Sequence, residues 1–128
     1  MTSEQTVTRD GAVDQDRDFQ DVCALEDVTP GTGVAALVSG EQIAVVRTTR
    51  DLVVALSNFD PFSRAFVISR GIVGDKGGVP KIASPIFKQN FSLLTGECLD
   101  DPKVRLPVYP CRVVGGRILV SVKRPEPS

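Results

Sequence analysis

From Val22 onward the chain is a succession of short apolar runs set between glycine, proline and small polar residues. VCAL (22–25), VAALV (34–38), QIAVVRT (42–48) and LVVAL (52–56) are rich in valine and isoleucine. The breaks between them, DVTPGTG, Ser39-Gly40 and Thr49-Arg50, carry turn residues. Short β-branched runs with such spacers predict antiparallel strands joined in a meander. The C-terminal part repeats the pattern: VYPCRVV (108–114), Gly115-Gly116 and RILVSV (117–122) predict the clearest hairpin in the chain. No segment holds an apolar stripe of period 3.6 over three turns, so an all-β fold is expected, a small antiparallel barrel or sandwich.

The middle breaks the pattern. NFDPFSRAFVISRG (58–71) has neither period and predicts a loop with at most one helical turn. A hairpin should follow, with strands at 71–74 and 79–84 around the turn Asp75-Lys76-Gly77-Gly78. SPIFKQNF (84–91) is a second irregular loop, leading into a strand FSLL (91–94), a turn at Thr95-Gly96 and the loop LDDPKVRLP. Two loops flanking one hairpin are expected to bring their tips side by side, as an inserted loop-and-hairpin subdomain.

The polar stretches set the domain limits. Residues 1–18 are acidic and poor in large apolar groups, so a disordered tail is expected before a single domain at 19–123, with 124–128 frayed. The N-terminus has no apolar core of a secretory signal, and no apolar run approaches the ~18 residues of a membrane span. With 128 residues and 41% hydrophobic content, the chain can bury a core without metal or disulfides.

Charge is uneven behind a net −1. Residues 1–30 carry eight acids against two arginines, net −6, whereas residues 61–90 carry five cations against Asp75, net +4. The basic middle could complement an acidic partner surface, or be only a solvated face. A slightly acidic total and the lack of an aromatic-and-basic stripe exclude a nucleic-acid partner.

Histidine is absent. The chain therefore has no imidazole base, no imidazole metal ligand and no hydrolytic triad of its own. Cys23, Cys98 and Cys111 are odd in number and far apart, with no CxxC. They predict reduced thiols in a cytoplasmic protein, each packed as a small hydrophobe.

SPIFKQNFSLLTGE resembles the second cluster-binding loop of Rieske-type iron–sulfur domains, Cys-Pro-x-His-Gly-x-x-Phe followed by Thr-Gly-Glu. Pro85, Phe91, Thr95, Gly96 and Glu97 match it. DPFSRAFVISRG resembles the first loop, Cys-Pro-His…Leu-Ser-x-Gly, through Pro61, Ile68, Ser69 and Gly71. A Rieske centre needs two Cys on one iron and two His on the other. Here Asp60 and Ser84 stand at the cysteine positions, and Phe62 and Phe87 at the histidine positions. The resemblance thus implies a Rieske-like fold with four vestigial ligand positions and no cluster, no metal and no catalytic residue.

The longer segment from DPFSRAFVISRGIVGDKGG through ASPIFKQNF and TGECLDDP to PVYPCRV resembles the small subunits of bacterial NAD(P)H-dependent assimilatory nitrite reductase. That resemblance implies a non-catalytic subunit supporting or modulating a large catalytic subunit, which carries FAD, sirohaem and an iron–sulfur cluster and reduces nitrite to ammonia. A cluster-free Rieske-like module that binds another oxidoreductase or a regulator is the alternative. Phe62 and Phe87 are expected either to fill the vacated pocket or to anchor a partner, with Arg64, Arg70 and Lys88 adding charge complementarity.

Overall fold

A computed structural model describes residues 18–122. The expected acidic tail (1–18, apart from Asp18) and the expected frayed end (124–128) lie outside the described residues. Strands β1 (Gln20–Ala24), β2 (Thr32–Val38), β3 (Glu41–Arg47) and β4 (Val53–Ser57) come first. Next come the short β5 (Phe59–Asp60) and β6 (Ala65–Phe66), then β7 (Ile72–Lys76), β8 (Val79–Ala83) and β9 (Asn90–Ser92). The chain closes with β10 (Val108–Tyr109), β11 (Cys111–Val114) and β12 (Arg117–Val120). The fold is all-β, as the pattern predicts, and among the described residues no helix is long and apolar enough to cross a membrane.

Two sheets form the main body. One has the order β10-β4-β3-β2 and the other β1-β12-β11, all pairs antiparallel. Their facing sides enclose one core, built from Val38, Ile43, Val45, Ala55, Tyr109, Ile118 and Val120. The opposite face of the larger sheet supports a second core. There Ala44, Val46 and Leu56 pack against Ile68, Ile82, Phe91, Leu93, Cys98 and Leu106 of the inserted subdomain. Strand β3 is thus buried on both faces, Ile43 and Val45 into one core and Ala44 and Val46 into the other. That is why its sequence is a continuous apolar run rather than an alternating one.

The subdomain consists of the two-residue ladder β5-β6 and the sheet β7-β8-β9. Its hairpin is tighter than the sequence predicts. Strand β7 runs on to Lys76, and Gly77-Gly78 alone make the turn, both at positive φ. Two successive left-handed residues match the twist of the flanking strands, whereas Asp75 and Lys76 can stay extended and paired. The expected strand at 91–94 is also shifted. β9 ends at Ser92, whose hydroxyl accepts the N–H groups of Leu94 and Thr95 and folds these residues into a turn. VYPCRVV is two strands, not one. Pro110 has no N–H to donate to a ladder. Val108–Tyr109 pair with β4, whereas Cys111–Val114 cross to β12 in the other sheet.

Candidate functional site

The two irregular loops come together at one end of the subdomain, and their backbones are near copies. In the first, the Arg64 N–H donates to the Asp60 carbonyl at 2.7 Å; in the second, the Lys88 N–H donates to the Ser84 carbonyl at 3.0 Å. Side chains repeat the likeness. The Asp60 carboxylate accepts the Phe62 N–H at 2.9 Å, and the Ser84 hydroxyl accepts the Ile86 N–H at 3.4 Å. Each loop then turns through a left-handed residue, Arg64 at φ 61° and Lys88 at φ 64°. Such a backbone is costly for any residue with a Cβ. The Rieske-type pattern has glycine where Lys88 stands, so here a lysine takes the left-handed turn that glycine fits best.

The four vestigial positions do not share one fate. Asp60 and Ser84 are both inaccessible to solvent and hydrogen-bonded to each other, the Ser84 hydroxyl donating to the Asp60 carboxylate. The Ser63 hydroxyl donates to the same carboxylate at 2.9 Å. Burial pushes the Asp60 pKa up, but the hydrogen bonds from Ser84, the Phe62 N–H and Ser63 outweigh it. The carboxyl is held below its ordinary 3.8 and is ionised at neutral pH, with no ion pair to a described residue.

Phe62 turns inward. It is half-buried against the second core, with its ring centroid 6.2 Å from that of Phe91 and tilted by 47°. Phe87 turns outward and is 58% exposed, beside Ile86 at 46%. Of the two alternatives expected for these rings, Phe87 does not take the pocket-filling one. Asp60 and Ser84 close the gap between the loops instead. Arg64, Arg70 and Lys88 are exposed and form no ion pair with a described residue. Phe66 was not singled out by the sequence. It is 52% exposed and packs on Phe59 at 5.2 Å between centroids, the rings tilted by 59°.

A second residue missed by the sequence is Asn58. Buried below the first loop, its Oδ1 accepts the Ser69 N–H at 2.7 Å and its carbonyl accepts the Ile68 N–H at 3.1 Å. It thereby ties the turn Ile68–Arg70 to the strand that enters the loop. An asparagine next to an aromatic gives no periodic signal, so only the folded chain exposes this role.

The donor set does not fit a Rieske cluster. Its four positions offer a carboxylate and a hydroxyl already committed to each other and two phenyl rings. The cysteines lie elsewhere. Cys98 is buried in the second core, and Cys23 and Cys111 flank the first. Burial pushes the Cys111 thiol up to about 12, with Cys23 adding to the effect, so it stays protonated. Among the described residues, no group of three or more His, Cys, Asp or Glu is placed to hold a metal ion.

A family model for the Rieske-like [2Fe-2S] domain matches residues 18–121. The nitrite reductase (NADH) small subunit of Salmonella typhimurium is 43% identical over 99 residues, covering 77% of this chain and 92% of that one. The chain belongs to the nitrite reductase small-subunit family. A crystal structure of a Mycobacterium tuberculosis protein described as an NADH-dependent nitrite reductase small subunit superposes with a TM-score of 0.80 at 49% identity. The match covers 84% of this chain and 96% of that one. A nitrite reductase [NAD(P)H] large subunit of Klebsiella oxytoca is 36% identical over 105 residues, which is 82% of this chain and 11% of that protein. A domain like this small subunit is thus found in a single polypeptide with a large subunit.

Proposed function

We propose that this small subunit binds the large catalytic subunit of a cytoplasmic NAD(P)H-dependent nitrite reductase through the tips of its two loops, and that it carries no electrons itself. The partner would bring FAD, sirohaem and an iron–sulfur cluster and perform the reduction of nitrite to ammonia. The observation that carries this reading is the outward Phe87, a large ring exposed at a ligand position of the Rieske-type pattern between Ile86 and the exposed Lys88. Aromatic side chains of this kind anchor interfaces. The two loop apices are cations in left-handed backbone, Arg64 and Lys88. Backbone strain of this sort concentrates at functional sites. The Klebsiella protein supports the choice of partner, because a domain of this kind is there joined covalently to the large subunit.

Co-expression with the large subunit tests the assignment. Phe87→Ala and Lys88→Glu are expected to weaken co-purification at least tenfold and to leave the melting temperature of the free chain unchanged. Phe62→Ala is expected to do the reverse, losing about 2–3 kcal/mol of stability, somewhat less than a fully buried ring. Full co-purification of Phe87→Ala would overturn the docking tip. A chain that instead recovers a different oxidoreductase or a regulator, and not the large subunit, would favour the alternative.

A further inference from the structure

We infer that the hydrogen bond between Ser84 and Asp60 takes the mechanical place of an iron–sulfur cluster, bracing the two loops against each other so that their tips keep one fixed arrangement. The inference rests in part on the docking reading, because the fixed arrangement is what a partner would meet.

In the Rieske-type pattern the two loops are joined through ligands to a common cluster, and here that covalent bridge has no donors. The loops also belong to separate hydrogen-bonded units, the first to the β5-β6 ladder and the second to the β7-β8-β9 sheet. Among the described residues, no backbone hydrogen bond joins residues 59–67 to residues 84–89. Among the described residues the Ser84–Asp60 side-chain bond is the one hydrogen bond that does, across 24 positions of sequence. Its two residues occupy the former cysteine positions, the inner pair of the four. Both are fully buried, so water does not compete for the bond.

The chemistry suits a brace. A carboxylate acceptor makes the bond charge-assisted and stronger than one between neutral groups. Asp60 is itself fixed by the Phe62 N–H and the Ser63 hydroxyl, so the acceptor is anchored within the first loop. Ser84 is anchored in the second loop, its N–H donating to the Gln89 carbonyl at 2.9 Å. Removing the hydroxyl would leave a buried charge short of one of its donors, which is costlier than the net gain from forming the bond.

Ser84→Ala is the decisive variant, since it removes one buried oxygen and leaves almost no cavity. Amide hydrogen exchange of the full-length free chain reads the loops directly. The N–H groups of Arg64 and Lys88 each close one loop and should exchange roughly tenfold faster in Ser84→Ala, while barrel amides such as Val45 are unmoved. Titration of the same chain against the purified large subunit should show affinity lowered by a similar factor. Phe87→Ala should lower affinity without changing exchange. If Asp60→Ala folds, combining it with Ser84→Ala should add little, because each removes the same bond.

Unchanged exchange at Arg64 and Lys88 in Ser84→Ala overturns the brace. So does faster exchange with full affinity in a chain whose binding Phe87→Ala weakens, since the arrangement would then not matter to the partner. Full affinity in Phe87→Ala overturns the docking tip instead, and exchange alone then decides the brace.

Discussion

Asp60 shows how one residue can be structural for a reason no hydropathy profile contains. A lone carboxylate without an ion pair is expensive to bury. This one is sustained by hydrogen bonds from Ser84, Phe62 and Ser63 that favour its charged form. Because its folded pKa lies below the ordinary value, the stability it contributes is present in full above about pH 4 and is lost as pH falls through the folded pKa. Unfolding curves of wild type and Asp60→Asn should therefore differ most at neutral pH and converge below about pH 4. A difference that grows on acidification would contradict the assignment. Phe62 and Phe87 make the complementary point. The pattern gave them equivalent positions, but one ring lies against Phe91 and the other in solvent. In Asp-Pro-Phe the ring is one residue past the proline, and in Ser-Pro-Ile-Phe it is two past, which sets the second ring further along its loop.

At the level of elements, Thr95-Gly96-Glu97 explains a motif that the sequence could only match. The Gly96 N–H donates to the Ser92 carbonyl at 2.8 Å, and its own carbonyl accepts the Leu106 N–H at 2.7 Å. Its φ is +82°, and a Cβ there would come within 2.0 Å of the Leu106 carbonyl oxygen. Gly77, also at positive φ, has nothing within 4 Å of such a Cβ. Gly96→Ala should therefore cost about 3 kcal/mol or more, through strain and collision together, and Gly77→Ala only about 1 kcal/mol, through backbone strain alone. Thermal unfolding of both variants checks the contrast, and equal losses would show that the close approach is not real. Strand existence was legible throughout the barrel because β-branched runs and turn residues alternate there. Strand ends at 76, 92 and 109 were not, because they depend on which neighbour supplies the next hydrogen bond. The ladder β5-β6 was invisible, since two residues per strand carry no period.

Across the whole molecule, two cores share one sheet. The barrel core forms between β-sheets that the sequence displays as apolar runs. The second core pins the inserted subdomain to the back of β3 and β4, and this platform holds the loop tips outward. The donor set predicts that the chain stays colourless after treatment with iron and sulfide under reducing conditions, with both at background in the desalted protein. Stoichiometric iron and sulfide would overturn the cluster-free reading. The uneven charge acts at this scale as well. Arg64, Arg70 and Lys88 project from the part of the chain with a net +4, and they form no ion pair with a described residue. Exposed cations of this kind steer an acidic partner at long range.

By itself the sequence determined the all-β class, the inserted subdomain, the family and the loss of the ligands. Each of these is written in local pattern or in residue identity: strand periodicity, turn residues, the absence of histidine, and Asp60 and Ser84 where cysteines would stand. The tertiary structure decided what the altered loops do. It joined Asp60 to Ser84, turned Phe62 in and Phe87 out, and placed Asn58 beneath the first loop. Those outcomes rest on contacts between residues distant in sequence, Asp60 with Ser84 across 24 positions and Phe62 with Phe91 across more. Their geometry exists only once the second core has brought the two loops together.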